Sequence, residues 1–107
     1  MRKMRNFRDY LNTKLQDPRE AAAYLKTALE EYEKDGNAEA FLLALRSVVE
    51  AMGGISELAK RTNLNRQNLY RALSGKGNPK WSTLGTILGG LGFRLSIEPN
   101  EAQMRAE

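Results

Sequence analysis

The 107-residue chain contains no cysteine and no histidine. The first absence excludes disulfides, iron–sulfur clusters and thiolate zinc sites. The second removes the commonest metal ligand and the commonest general base near neutral pH. Most hydrolytic and metal-dependent chemistries lose their usual side chains. A non-enzymatic protein with no metal, cofactor or small-molecule substrate is therefore expected. Long apolar runs are missing too: stretches such as Ala21–Leu25 and Phe41–Leu45 fall far short of the roughly 20 residues that a membrane helix needs. Asn6–Gln16 holds no apolar stretch able to act as a signal core. The expected location is cytoplasmic, away from any membrane, and a cysteine-free chain agrees with that.

What is present describes a small globular unit. Apolar residues make up 41% and charged residues 28%, enough for one core in a chain this size. Seventeen Lys+Arg against 13 Asp+Glu give a net charge of +4, and the charges are segregated. Arg2, Lys3, Arg5, Arg8 and Lys14 face Asp9 alone, and Lys60, Arg61, Arg66, Arg71, Lys76 and Lys80 face Glu57 alone. Residues 17–50 between these blocks carry most of the acids. Two basic blocks around an acidic one suggest separate surfaces for separate partners.

The pattern predicts an all-α fold of about five helices with a short C-terminal β-strand. Residues 1–16 show no clear period and read as a basic N-terminal arm or lead-in. Residues 17–98 form the helical domain, and 99–107 read as a polar tail. Asp17-Pro18 is a helix start, with a capping acid followed by proline at the first helical position. Ala21, Leu25, Ala28, Leu29 and Tyr32 recur at helical spacing until Gly36-Asn37. Phe41, Leu42, Leu45, Val48, Val49 and Met52 form a second apolar stripe, stopped by Gly53-Gly54. Ile55, Leu58 and Ala59 mark a short third helix. Asn65 can cap a fourth running to about Ser74, and Gly75–Pro79 is a loop. Trp81, Leu84, Ile87, Leu88 and Leu91 outline a fifth helix, with Trp81 and Phe93 read as core. Phe93, Leu95 and Ile97 then alternate with polar residues as a half-buried strand does.

Residues 55–74 fit a helix-turn-helix. Such a motif needs a small residue on its first helix, here Ala59, and a residue tolerant of positive φ in the turn, here Asn63. It also needs a buried aliphatic, Leu64, and inward residues on the second helix, Leu69, Ala72 and Leu73. With those facing in, 100° per residue turns Gln67, Tyr70, Arg71 and Ser74 outward, flanked by Arg66 and Asn68. Arg pairs with guanine O6 and N7, and Asn or Gln with adenine, so Arg66, Gln67, Asn68, Tyr70 and Arg71 are the candidate base readers of double-stranded DNA. Ser56, Lys60, Ser74, Lys76, Asn78 and Lys80 surround the motif as candidate phosphate contacts. No acid occurs between residues 58 and 97, which suits approach to phosphates.

The stretch Leu58–Pro79, above all Asn68-Leu-Tyr-Arg-Ala-Leu-Ser74 followed by Gly77-Asn-Pro79, resembles the bacterial addiction-module antidote proteins. These are host-inhibition-of-growth-type antitoxins with a Cro/lambda-repressor-like helix-turn-helix. Weaker likeness at Asp9-Tyr-Leu11, Tyr24-Leu25 and Leu91-Gly-Phe-Arg-Leu95 extends it over about residues 9–97. The resemblance implies a dimeric autorepressor that binds its own operator and neutralises a small RelE/HigB-like ribonuclease toxin. Gly89-Gly90 departs from it, since two glycines weaken a helix interior; they shorten or bend the fifth helix, or permit close packing.

Two further surfaces follow as expectations. A lone strand leaves backbone groups unpaired, so pairing with a second copy, with Leu88, Leu91, Phe93, Leu95 and Ile97 at the interface, gives a homodimer. A ribonuclease toxin needs a basic surface, and the concentrated acids Glu30, Glu31, Glu33, Asp35 and Glu39 are its candidate docking site, on the side opposite the DNA-reading face. The alternatives are a stand-alone phage-type repressor without a toxin, and a protein-interaction module whose helix-turn-helix is vestigial.

Overall fold

The computed structural model describes residues 2–102, with side chains from Phe7 onward. Among the described residues the elements are six helices: α1 (Arg2–Lys14), α2 (Pro18–Asp35), α3 (Ala38–Ala51), α4 (Gly54–Thr62), α5 (Arg66–Ala72) and α6 (Trp81–Gly90). The expected tail falls on residues 103–107 for the most part, and these lie outside the described residues.

Local chemistry sets the boundaries. Asp17 holds an extended conformation and its carboxylate accepts the Arg19 N–H at 2.9 Å, capping α2 directly ahead of Pro18. Gly36 ends that helix at φ 69°, a left-handed geometry that glycine adopts without penalty. The Asn37 side chain then accepts the Glu39 N–H at 2.9 Å and starts α3. Helix α3 buries one broad face through Phe41, Leu42, Ala44, Leu45, Val48, Val49 and Ala51, and leaves Leu43 and Glu50 exposed on the other. It is the central element: α1, α2 and α4 pack on it, and α4 in turn carries α5 and α6. Leu15, Leu25, Leu58, Leu69, Leu73, Ile87, Leu88 and Leu91 complete one continuous core. Each fully buried Leu or Ile in it contributes about 1.5–3 kcal/mol.

Three expectations are corrected. Residues 2–14 are helical, where an irregular lead-in was expected. From Phe7 onward the helix delivers only the half-buried Leu11 to the core, with Leu15 buried just beyond its end, while Phe7 and Tyr10 stay exposed. An apolar face that narrow gives no readable period. Second, no strand occurs among the described residues. Gly92, at φ 92°, donates its N–H to Gly89 O at 3.0 Å, and Phe93 donates to Leu88 O at 2.8 Å. This is the paired-bond helix stop that a left-handed glycine permits, so Phe93 belongs to the end of α6. Residues 94–100 after it have no regular secondary structure. Third, Trp81 is 73% exposed, not core. As the first residue of α6 it projects beyond the end of the apolar stripe.

Candidate nucleic-acid interface

The turn between α4 and α5 is built as its sequence requires. Asn63 sits at φ 60°, ψ 19°, and is the one non-glycine residue with positive φ among the described residues. Its N–H donates to Ala59 O at 2.9 Å. Sequence reasoning missed Thr62. Its hydroxyl donates to Leu58 O at 2.8 Å and accepts the Leu64 N–H at 3.3 Å, tying the turn to both sides. Half-buried Leu64 packs against the core. The Asn65 side chain then accepts the N–H groups of Gln67 (2.7 Å) and Asn68 (3.2 Å), which caps α5.

Helix α5 buries Leu69 and Ala72, with Leu73 immediately after it, and exposes all five candidate base readers: Arg66, Gln67, Asn68, Tyr70 and Arg71. Ser56, Lys60, Lys76, Asn78 and Lys80 are exposed around it. Ser74 is half-buried, and its hydroxyl is engaged with Arg71 O at 3.0 Å. Among the described residues the ion pairs are Lys14–Glu20, Lys26–Glu98, Lys34–Glu31, Arg46–Glu50 and Arg61–Glu57. Lys60, Arg66, Arg71, Lys76 and Lys80 take part in none of them. Arg61 is the exception in the basic block: it also reaches Gly90 O at 3.5 Å and serves the packing of α4 on α6.

Two glycines hold this surface in place. A Cβ on Gly77 would lie 2.5 Å from Arg71 O and 2.7 Å from Ala72 O. The loop after α5 therefore folds back on the end of that helix, so Lys76 and Asn78 stay beside it. A Cβ on Gly90 would lie 2.5 Å from Thr62 Cγ2 and 3.0 Å from Leu58 Cδ1. Of the Gly89-Gly90 pair, Gly90 thus serves close packing within the chain, of α6 on α4 and the turn after it, while a Cβ on Gly89 would meet nothing within 4 Å.

The other two surfaces divide. Leu88 and Leu91 are buried in the chain's own core and Phe93 packs against it, so these three do not form an exposed patch. Leu95 and Ile97 are exposed, Ile97 completely. Glu30, Glu31, Glu33 and Asp35 are exposed at the end of α2. Glu39 departs from the expected separation of surfaces: a Cβ on Gly75 would lie 2.7 Å from its Cγ, so Glu39 abuts the loop that follows α5. At this residue the acidic and basic surfaces meet instead of lying on opposite sides.

No helix among the described residues is long and apolar enough to cross a membrane. No solved structure matches the chain at a significant level. A Haemophilus influenzae protein described as "Uncharacterized protein" is 31% identical over 70 residues, covering 65% of this chain and 71% of that protein. The family model described as "Probable addiction module antidote protein" matches residues 4–99, which takes in the capped turn, the exposed face of α5 and the glycine-locked loop, and the chain belongs to that family.

Proposed function

We propose that the protein is the antitoxin of a two-protein addiction module, and that it represses its own operon by sequence-specific DNA binding. It is non-enzymatic and acts as a cytoplasmic homodimer. The observation that carries the DNA reading is the exposed face of α5, where two unpaired arginines, a glutamine and an asparagine stand on a capped helix. These are the side chains that pair with purine edges in the major groove. Lys60, Lys76, Asn78 and Lys80 around it position the module on phosphates. Operator-binding modules of this geometry work as dimers on paired half-sites. Exposed Leu95 and Ile97 offer the second copy an apolar patch.

The toxin partner follows from the family, and its RelE/HigB-like ribonuclease nature from the resemblance of the α4–α5 segment. A basic RNA-binding protein is attracted by Glu30, Glu31, Glu33 and Asp35. Because Glu39 abuts Gly75, a toxin docked there borders the DNA-contacting loop, so the two activities are coupled. A second docking reading rests on a groove of about 540 Å³ between α1 and α2, walled by exposed Phe7 and Tyr10.

Two assays on one operon test the proposal. The chain should protect DNA upstream of its own gene from nuclease, and should co-purify with, and rescue growth from, the small basic protein encoded beside it. Protection without a partner leaves the stand-alone repressor. Partner binding without protection leaves an antidote whose helix-turn-helix is vestigial.

A further inference from the structure

The chain has one tryptophan, and the structure leaves it 73% exposed. Exposing an indole gives up the large apolar burial that this side chain otherwise provides. Trp81 gains no cap in exchange. It opens α6 after Lys80, whose side chain makes no capping bond. Its neighbours along the chain carry no acid: Lys76, Asn78 and Lys80 precede it, all exposed, the nearest acids in sequence are Glu57 and Glu98, and Glu39 meets the loop further back, at Gly75.

Its position relative to α5 is constrained. Gly77 sits against the carbonyls of Arg71 and Ala72 at the end of that helix. Trp81 lies four steps along the chain from Gly77, a span of at most about 14 Å. The major groove is about 12 Å wide. A helix lying in it is therefore flanked by sugar-phosphate backbone within the reach of a side chain at position 81.

We propose that Trp81 is a DNA-contact residue whose indole lies against the sugar-phosphate backbone beside the groove entered by α5, with Nε1–H donating to a phosphate oxygen. The inference rests on the DNA-reading assignment of α5. The indole covers deoxyribose carbons with its ring while its one donor meets an anionic acceptor, a charge-assisted bond. Such a contact adds affinity on every sequence and leaves base choice to Arg66, Gln67 and Arg71.

As the sole tryptophan, Trp81 reports on itself. The full chain is titrated with a labelled mixed-sequence DNA duplex at about 50 mM salt. Anisotropy of the label gives binding, and acrylamide quenching of tryptophan emission gives the accessibility of the indole. The expected result is duplex binding together with several-fold protection of Trp81 from acrylamide. W81A should bind the same duplex about tenfold more weakly, and W81F, which keeps a ring but loses the donor, should fall between, with helical circular dichroism unchanged in both. A duplex that binds while Trp81 quenches as in free protein, or W81A that binds as wild type, overturns the proposal and leaves α5 as the reader. No duplex binding at low salt removes both assignments together. Protection of Trp81 by the co-purified partner protein and not by DNA places it in a protein interface and also overturns the proposal.

Discussion

Adding one methyl group to α6 should have opposite consequences at adjacent glycines. At Gly90 the new Cβ would sit 2.5 Å from Thr62 Cγ2 and 3.0 Å from Leu58 Cδ1. Carbon atoms at ease stand about 3.5–4.0 Å apart, so about 1 Å must be found. Thr62 cannot yield by rotating, because its hydroxyl is bonded to Leu58 O and to the Leu64 N–H, and rotation breaks both. Helix α6 must instead move off α4. Overpacking of this kind costs about 1–3 kcal/mol, against which the better helix propensity of alanine returns at most about 1 kcal/mol. Gly90→Ala should thus lose about 1–2 kcal/mol, and at about 4–8 °C per kcal/mol its Tm should fall by roughly 5–15 °C. At Gly89 nothing lies within 4 Å of a new Cβ, and its φ is not positive. Gly89→Ala should gain about 0.5–1 kcal/mol and raise Tm by several degrees. Thermal unfolding followed by circular dichroism decides both. A Gly90→Ala protein as stable as wild type, or a Gly89→Ala protein that loses as much, would refute the packing of α6 on the turn.

The remaining surfaces give predictions of their own. Leu95→Asp should leave helical content intact, since Leu95 is 44% exposed in the chain, but sedimentation should report monomer because an unpaired charge in an apolar contact is costly; a dimer persisting at micromolar concentration places the interface elsewhere. Glu30→Lys with Glu31→Lys should slow association with the toxin, most visibly at low salt, and weaken growth rescue. Unchanged association would shift docking to the α1–α2 groove at Phe7 and Tyr10. Lys76→Ala should weaken binding to every DNA sequence alike and reduce the slope of log K against log salt by about one. Glu39→Gln should strengthen DNA binding, because it removes a negative charge beside the Gly75 loop, well within a Debye length of about 10 Å. An unchanged affinity would mean that phosphates do not approach that loop.

Much of the α4–α5 turn and of the exposed face of α5 was legible because its determinants are local. Asn63 and Asn65 act on backbone groups within four residues of themselves, and the outward face of α5 follows from helical rotation once Leu69, Ala72 and Leu73 face inward. What escaped reading is set by distant neighbours or by competition. Alternation at Phe93, Leu95 and Ile97 is a property of one segment, whereas a strand is a property of two; with no second segment alongside, the Gly92 helix stop takes Phe93. Trp81 continues the spacing of Leu84, Ile87 and Leu91, and only the depth of the core at that end of α6 shows that it projects past it. Leu88 and Leu91 read equally well as interface or core, and the packing of α6 on α4 decides for core. The meeting of Glu39 with Gly75, and of Gly90 with Thr62, joins residues roughly 30 apart in sequence and leaves no trace in composition or period.

The central claim is that α5 reads base sequence. Its most direct test is the ratio of affinities for a duplex from upstream of the gene and for a scrambled duplex of equal length, at one fixed salt concentration, for wild type and Arg71→Ala. The account predicts a ratio of about 10³ or more for wild type. Arg71→Ala should lose about 1–3 kcal/mol on the upstream duplex and little on the scrambled one, so the ratio falls at least several-fold. A wild-type ratio near one, or an Arg71→Ala protein that loses both affinities equally, contradicts it.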